Sequence, residues 1–165
     1  MASHHYTSKA AHLAVMSELA WLGYNVAMPE IDIGDDIFAV NDSSGNMWRI
    51  QVKYSAAKVQ KSSISATFGC RKAQLETANT PELYYIFAFR VPPVWRYAVF
   101  SRAGLLTRHQ VSQFGAQYYN KVAKADFINF RLTFKPATNK LTYGAGQHKQ
   151  DISAHLEKWD EIPKN

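Results

Sequence analysis

Apolar residues recur at two different periods in the first part of the chain. Between residues 8 and 22 they repeat at the spacing of one helix face, as at Ala11, Val15 and Leu19, which predicts a helix. Between residues 47 and 54 apolar and polar residues alternate instead, which is typical of a strand with two different faces. The chain therefore opens with a helix and continues into a sheet.

Shorter patterns extend this series of elements. Further strands are predicted at 24–28, 36–40, 64–68, 83–89, 94–100 and 127–134, and further helices at 71–78, 101–119 and 151–159. Helices and strands in this order indicate an α/β fold with a mixed central sheet flanked by helices. A length of 165 residues suits a single domain that spans residues 1–165.

The strands at 36–40 and 47–54 are predicted to form a hairpin. Residues 42–45, Asp-Ser-Ser-Gly, have the composition of a turn. If Asn41 lies opposite Asn46 across this turn, the numbers of opposing residues have a constant sum along both strands. The spacing thus fixes which side chains meet.

In that register Asp36 lies opposite Gln51 on the same face of the hairpin, and Lys53 lies one diagonal step away. A carboxylate, a carboxamide and an ammonium group therefore converge at one end of the sheet. A slip of one residue would undo the arrangement and would bring Asp35 to the place of Asp36.

These groups suit hydrolysis assisted by a metal ion. A carboxylate such as Asp36 is a ligand that Mg²⁺ accepts together with waters and substrate phosphate. Gln51 offers a neutral carbonyl oxygen, and the main-chain oxygen of Val52 is a further candidate ligand. Lys53 could orient a water molecule or stabilise the charge of a transition state.

The same residues resemble a known motif. Gly-Asp-Asp36-Ile-Phe-Ala-Val, followed after a turn by Ile-Gln51-Val-Lys53, is similar to the core of the PD-(D/E)XK nuclease superfamily. A preceding helix with an acidic residue, here Glu18, opens many domains of that superfamily. The resemblance covers residues 8–55. It departs from the motif in two places, because no proline precedes Asp36 and because Gln51 fills an acidic position.

The resemblance implies a restriction-endonuclease-like fold and a metal-dependent DNA endonuclease of the homing, restriction or junction-resolving type. Within the superfamily, the sequence resembles intron-encoded homing endonucleases and Holliday-junction resolvases in particular. Mg²⁺, with Mn²⁺ as a substitute, would be held by Asp36, Gln51, the Val52 carbonyl and Glu18, and Lys53 would complete the catalytic set. Cutting both strands of a duplex needs two sites, so a homodimer is expected.

The charge of the chain agrees with a DNA partner. Lysine and arginine number 19 against 13 acidic residues, which gives a net charge of +6, and such a surface attracts polyanions. Four basic residues follow the predicted catalytic strand and are candidates for phosphate contact: Lys58, Lys61, Arg71 and Lys72. The six histidines lack the spacing of metal ligands and are assigned no metal.

Other classes of function stay open at this point. A nuclease fold could bind DNA without cutting it if Gln51 has removed the metal, and a basic adaptor of protein–protein contacts would share the same charge. One cysteine, no apolar run long enough for a membrane and no secretory signal lead us to expect a cytoplasmic protein.

Overall fold

The computed structural model of the chain describes residues 4–31, 34–144 and 149–163. Within them, one sheet, which we call sheet A, has five strands: β1 (Asn25–Ala27), β2 (Ile37–Val40), β3 (Met47–Ser55), β6 (Leu83–Val91) and β7 (Val94–Ser101). They lie in the order β1–β2–β3–β6–β7. β3 and β6 are parallel, and the other neighbours are antiparallel. Sheet A is therefore mixed, with β3 at its centre.

A second sheet, sheet B, has six antiparallel strands: β4 (Lys58–Val59), β5 (Ile64–Arg71), β8 (Ala116–Asn120), β9 (Ala125–Lys135), β10 (Lys140–Tyr143) and β11 (Gln150–Asp151). Its order is β11–β10–β9–β5–β4, and β8 also pairs with β9. The long strands β5 and β9 pair over their whole common length, from Ile64 opposite Phe134 to Arg71 opposite Phe127. β5 and β9 are therefore the two central and longest strands of sheet B.

A long helix, α1 (His4–Trp21), covers one face of sheet A. Its stripe of Ala11, Val15 and Leu19 is fully buried against the apolar side of β3. Burial of this stripe explains why the periodicity of the sequence was informative, since packing of one helix face supplies most of the stability of such a helix.

The other face of sheet A packs on sheet B. Aromatic rings fill the space between the sheets: Phe87 of β6 stacks on Phe68 of β5 with ring centroids 4.7 Å apart, and Phe130 of β9 lies 5.4 Å from Phe87. Two shorter helices, α2 (Lys72–Glu76) and α3 (Arg102–Ser112), border this core. β3 and β6 thus separate two apolar cores.

A buried arginine ties the two short helices to sheet A. Arg102, at the start of α3, is only 7% exposed and donates from Nε and Nη2 to the two carboxylate oxygens of Glu82, at 2.8 and 3.2 Å. Its Nη1 donates to the carbonyl of Leu75 in α2 at 3.0 Å. A fork that meets a carboxylate with two bonds has a fixed direction, so this contact orients α2 and α3 beside the start of β6.

The fold class predicted from the sequence is confirmed: the chain is α/β, with a mixed central sheet flanked by α1 on one face. The other face is covered by sheet B, with the short helices at its border, where further helices were expected. None of the helices in the described ranges is both long and apolar enough to cross a membrane.

The helix predicted at 101–119 is wrong in its second half. α3 ends at Ser112, where Gln113 adopts a left-handed conformation with φ 51°. Gly115 follows with φ +98°, a region that glycine enters without steric cost. The chain then forms β8, which pairs with β9. The tyrosines of this segment belong to a strand, and the glycine marks the change of direction.

The helix predicted at 151–159 is also wrong. Residues 150–151 form β11, and the rest contains only the short 3₁₀ helices Ser153–His155 and Trp159–Glu161. The backbone of this segment bonds to distant strands, because Ile152 N–H donates to Leu141 and Glu157 N–H donates to Tyr97. Amides used in this way are not available for a continuous helix.

The packing between the sheets predicts a large loss of stability for Phe87→Ala. Phe87 is fully buried and touches rings of both sheets, so its removal should lower the free energy of unfolding by about 3–5 kcal/mol. Denaturant unfolding would measure the change. Val122→Ala, at a residue 95% exposed, is the control, and an equal effect of both variants would contradict this account of the core.

Candidate active site

The predicted register of the hairpin is confirmed. Asn41 and Asn46 are opposite each other, with Asn41 N–H donating to the Asn46 carbonyl at 2.9 Å, and Ile37 pairs with Ile50. The regular pairing ends at Ile37, since Asp36 N–H donates to the Ile50 carbonyl at 2.9 Å, and Asp36 meets Gln51 through its side chain. The alternation of β3 is confirmed as well, since Ile50 and its apolar neighbours face α1 whereas Gln51 faces the other way.

The Asp36 carboxylate lies at the end of sheet A where β2 begins and bonds to β3. Regular pairing starts at Ile37, and Oδ2 of Asp36 accepts from the backbone N–H of Val52 at 2.8 Å, in the place of a strand carbonyl. The same oxygen accepts from Nε2 of Gln51. Nε2 of His12, from α1, lies 3.8 Å away. The Asp36 carboxylate therefore contacts a backbone amide of β3, the carboxamide of Gln51 and the imidazole of His12.

Gln51 is held from its other side by Gln74 of α2. Nε2 of Gln74 donates to Oε1 of Gln51 at 2.8 Å and to the carbonyl of Gly34 at 2.7 Å. Gln51 is only 5% exposed, and a buried carboxamide needs partners on both ends. A continuous series of hydrogen bonds thus joins Gly34, Gln74, Gln51 and Asp36, and it connects the loop before β2 to α2 and β3.

Lys53 lies beyond Gln51 on the same face of β3 and is half-buried. Its neighbour across the sheets is Cys70 of β5: burial raises the pKa of the Cys70 thiol to about 12, and the charge of Lys53 acts in the opposite direction. Lys53 therefore lies between the cavity and the core that separates the two sheets.

A cavity of about 670 Å³ opens beside these residues. Gln51, Lys53, Arg49 and Arg71 line it, and so does Asp35. Asp36 is not part of the lining and lies behind Gln51. The cavity thus presents three cations and one carboxylate to any ligand, which favours an anionic one.

Asp35 binds the arginine beside the cavity. Oδ2 of Asp35 accepts from Nε and Nη2 of Arg49 at 2.9 and 2.8 Å, and Nη1 of Arg49 donates to Asn79 at 2.8 Å. Asp35 is 2% exposed, and its Oδ1 has no hydrogen-bond partner within the described ranges. The register did not slip, so Asp35 does not take the position of Asp36 opposite Gln51.

The predicted ligand Glu18 is not brought to Asp36. Burial raises the pKa of Tyr97 in β7, and the charge of Glu18 adds to that rise. β7 is three strands away from β2 in sheet A. On a helix with about 100° per residue, Glu18 and His12 lie on opposite flanks of the buried stripe. The flank of α1 that approaches Asp36 carries His12 instead.

The four basic candidates are separated by the fold. Arg71 lines the cavity, Lys58 lies on the edge strand β4, and Lys61 is exposed in the turn that follows it. Lys72 of α2 pairs with Glu76 at 3.7 Å. Arg71 is therefore the one that extends the positive charge of the cavity outward.

His12 and Gln74 are the site residues that the sequence did not indicate. His12 follows directly after Ala11 of the apolar stripe, and this position is the available signal, although it does not say which flank of the helix meets Asp36. Gln74 reaches Gln51 only because α2 turns back over the end of β3. No local pattern encodes that contact between residues 23 positions apart.

One solved structure of distant sequence shares the fold of this chain. No family model and no curated protein matches the sequence. Among solved structures, a bacterial homing endonuclease, I-Ssp6803I, is similar with a TM-score of 0.58 and 15% identity over 98% of this chain and 92% of that one. The Holliday junction resolvase Hjc of Archaeoglobus fulgidus matches with a TM-score of 0.40 and 14% identity over 89% and 93% of the two chains. The chain therefore has the α/β fold of that homing endonuclease.

Proposed function

We propose that the protein is a metal-dependent DNA endonuclease whose catalytic residues are Asp36, Gln51 and Lys53. The observation that carries the proposal is their convergence in one register beside a cavity lined by Arg49, Lys53 and Arg71. The fold likeness to a homing endonuclease supports the same class of reaction. The substrate phosphate would enter the cavity, where cations offset its charge.

The donor set fits Mg²⁺, and Mn²⁺ as its substitute. Asp36 supplies a carboxylate and Gln51 a carbonyl oxygen. The N–H of Val52 points to Asp36, and since the N–H and C=O of one strand residue point to the same side, its carbonyl faces that edge too. The described ranges hold no cluster of three or more carboxylate, histidine or cysteine ligands, which suits an ion completed by water and substrate phosphate.

The bound ion would lower the pKa of a water molecule and offset the charge that develops on the phosphate. The chain itself must first rearrange its carboxamides. Gln51 turns Nε2 toward Asp36 and Oε1 toward Gln74, so donating an oxygen at Asp36 requires the amide to turn over. Gln74 must then accept where it now donates, which couples the orientation of both glutamines.

Lys53 is proposed to act on the reacting phosphate. Lys53 is half-buried and lines the cavity, so its charge is available to a phosphate bound there. A fixed cation stabilises charge on the non-bridging oxygens and can orient the attacking water by a hydrogen bond. Contact with the DNA backbone would fall to Arg71 at the wall of the cavity and to Lys58 and Lys61 outside it, whereas Lys72 pairs with Glu76.

A second candidate is a nuclease fold that binds DNA without cutting it. The observation that favours it is the internal bonding of Asp36, whose Oδ2 already accepts from Gln51 and Val52. With a neutral residue at position 51, a single carboxylate remains to attract a cation. The two candidates differ in whether the Asp36 group supports cleavage.

The partner besides DNA is proposed to be a second copy of the chain. α1 is apolar on both sides: its inner stripe is buried, whereas Tyr6, Leu13 and Trp21 on the outer side are 74, 54 and 88% exposed. Large apolar side chains exposed together on one side of a helix are typical of a surface that another protein covers. Two copies would also supply the two sites that cutting both strands requires.

The first prediction concerns cleavage of supercoiled plasmid in Mg²⁺ or Mn²⁺. Asp36→Asn should abolish nicking, and Lys53→Ala should slow it by roughly 100-fold or more. The change Asp35→Asn, at the preceding residue, should cost less, because Asp35 serves Arg49. Arg90→Ala, at an exposed arginine of β6, should cut as the wild type does.

The pattern of losses separates the candidates. Loss in Asp35→Asn with activity kept in Asp36→Asn would contradict the assignment of Asp36. If the wild type and all variants fail to cut plasmid and a four-way junction, while Asp36→Asn binds DNA as tightly as the wild type, the binding-only candidate is correct.

A second prediction concerns Gln51→Glu, which sets a carboxylate against that of Asp36. Repulsion between like charges should lower the melting temperature in EDTA, by about 2–4 °C for each kcal/mol of stability lost. Mn²⁺ should then raise the melting temperature more than in the wild type, since binding to the folded state stabilises it. Thermal melting would measure both. Gln117→Glu, on the exposed strand β8, is the control, and equal Mn²⁺ shifts in the two variants would contradict a cation site at Asp36.

The third prediction is that Leu13→Glu converts a dimer to a monomer. Sedimentation analysis of the wild type should give twice the chain mass of 18.7 kDa, and the variant should give the chain mass, because a charge buried between two copies of α1 has no partner. Val122→Glu, at an apolar residue that is 95% exposed, should stay dimeric. A wild type that is monomeric at micromolar concentration would contradict the proposal.

A further inference from the structure

The two faces of sheet B differ in composition. Residues 128, 130, 132 and 134 of β9 point into the core between the sheets, and their odd-numbered neighbours point outward. β5 follows the same rule, with Phe68 inside and Thr67 outside. The register pairs outward residues with outward residues, so Thr67 is next to Arg131. The outward side chains thus form rows that cross the sheet.

These rows begin at the cavity. Arg71 pairs with Phe127, both line the cavity, and Phe127 pairs on its other side with Tyr118 of β8. The next row contains Gly69 and Asn129, the row after that Thr67 and Arg131. The outer face of sheet B is therefore continuous with the wall of the candidate active site.

The outer face is strongly positive. It carries five cations, Lys58, Arg71, Arg131, Lys135 and Lys140, and among the described residues of the paired strands its one carboxylate is Asp151 on the edge strand β11. Asp151 already pairs with Lys140 at 3.1 Å. Arg131 is exposed and forms no hydrogen bond or ion pair with any part of the chain that the structure describes. Charge of one sign at this density is complementary to a polyanion.

The centre of the outer face carries side chains that can donate and accept hydrogen bonds, whereas the strands on either side of the centre carry lysines. Thr67, Asn129 and Arg131 lie on the central pair β5–β9, with Lys58 on the strand to one side and Lys140 on the strand to the other. Proteins that read DNA with a β-sheet place strands in the major groove, and asparagine and arginine are the side chains that read adenine and guanine there. The deep and narrow major groove of an RNA helix does not admit side chains in this way.

We infer that the outer face of β5 and β9 reads base edges in the major groove of duplex DNA beside the site of cleavage. The inference rests on the proposed function for its choice of DNA as the ligand. Rows two residues apart are about 7 Å apart along the strands, and base pairs rise by about 3.4 Å. Asn129 and Arg131 therefore contact positions about two base pairs apart, and the face from Arg71 to Lys135 covers about eight base pairs.

The experiment is a binding selection in EDTA. The full chain is incubated with a pool of duplexes that contain a randomised segment, and the bound duplexes are sequenced for the wild type, Arg131→Ala, Asn129→Ala and Arg90→Ala. Arg90 is an exposed arginine on the α1 side of sheet A and serves as the matched control. Thermal melting checks that each variant is folded, and Arg131→Lys keeps the charge but loses the two-pronged contact.

We expect Arg131→Ala to lose the preference at one base-pair position and to bind the wild-type duplex about 5- to 150-fold more weakly. Asn129→Ala should lose the preference at a second position, about two base pairs from the first. Arg131→Lys should lose the same preference as Arg131→Ala while keeping more affinity, and Arg90→Ala should match the wild type.

Three results would overturn the inference. The wild type could enrich no duplex, or the variants could keep every wild-type preference. The variants could also bind all sequences more weakly by the same factor, which is the behaviour of a phosphate contact. The outcome is separable from that of the proposed function because no cleavage is needed. If the enriched duplex is bound with these preferences but is not cut in Mn²⁺, the nuclease proposal fails and the inference stands.

Discussion

The candidate site depends on the register of a single hairpin. The turn between β2 and β3 is closed by backbone bonds, Asn41 N–H to Asn46 and Gly45 N–H to Asn41, at 2.9 and 2.8 Å. The Asn41 side chain adds two more by accepting from the amides of Ser43 and Ser44. Because strand side chains alternate, a shift of one residue would turn Ile37 toward the cavity and a carboxylate into the apolar core under α1. The core and the site therefore select the same register.

β3 extends this dependence to both sides of sheet A. Its even-numbered residues pack under α1, while Arg49, Gln51 and Lys53 face the cavity and sheet B. The polar residues are positioned by a strand whose other face is fixed in a core, so they have little freedom to move apart. Gln74 adds a restraint from α2, since its one amide nitrogen bonds both Gln51 and the loop that carries Asp35.

The parts that the sequence predicted correctly are those encoded by neighbouring residues. The α1 stripe, the turn at residues 42–45 and the alternation of β3 each follow from a local period, and together they suffice to bring Asp36 against Gln51. β8 was misassigned because the chain turns after Ser112 and forms a hairpin with β9, and the C-terminal segment because its amides bond to more distant strands. His12 and Gln74 depend on which side of a helix meets the sheet, and a one-dimensional pattern does not contain that information.

The division of β9 into two sets of residues has a consequence for how this protein can change over generations. Its inward residues Ile128, Phe130, Leu132 and Phe134 are at most 1% exposed, so substitutions there disturb the folded state. Its outward residues contribute little to the core and are largely exchangeable at small cost in stability. Mutation can therefore explore new outward surfaces while the hairpin with Asp36 and Lys53 stays intact. The fold thus separates an exchangeable surface on sheet B from the hairpin of sheet A that carries Asp36 and Lys53.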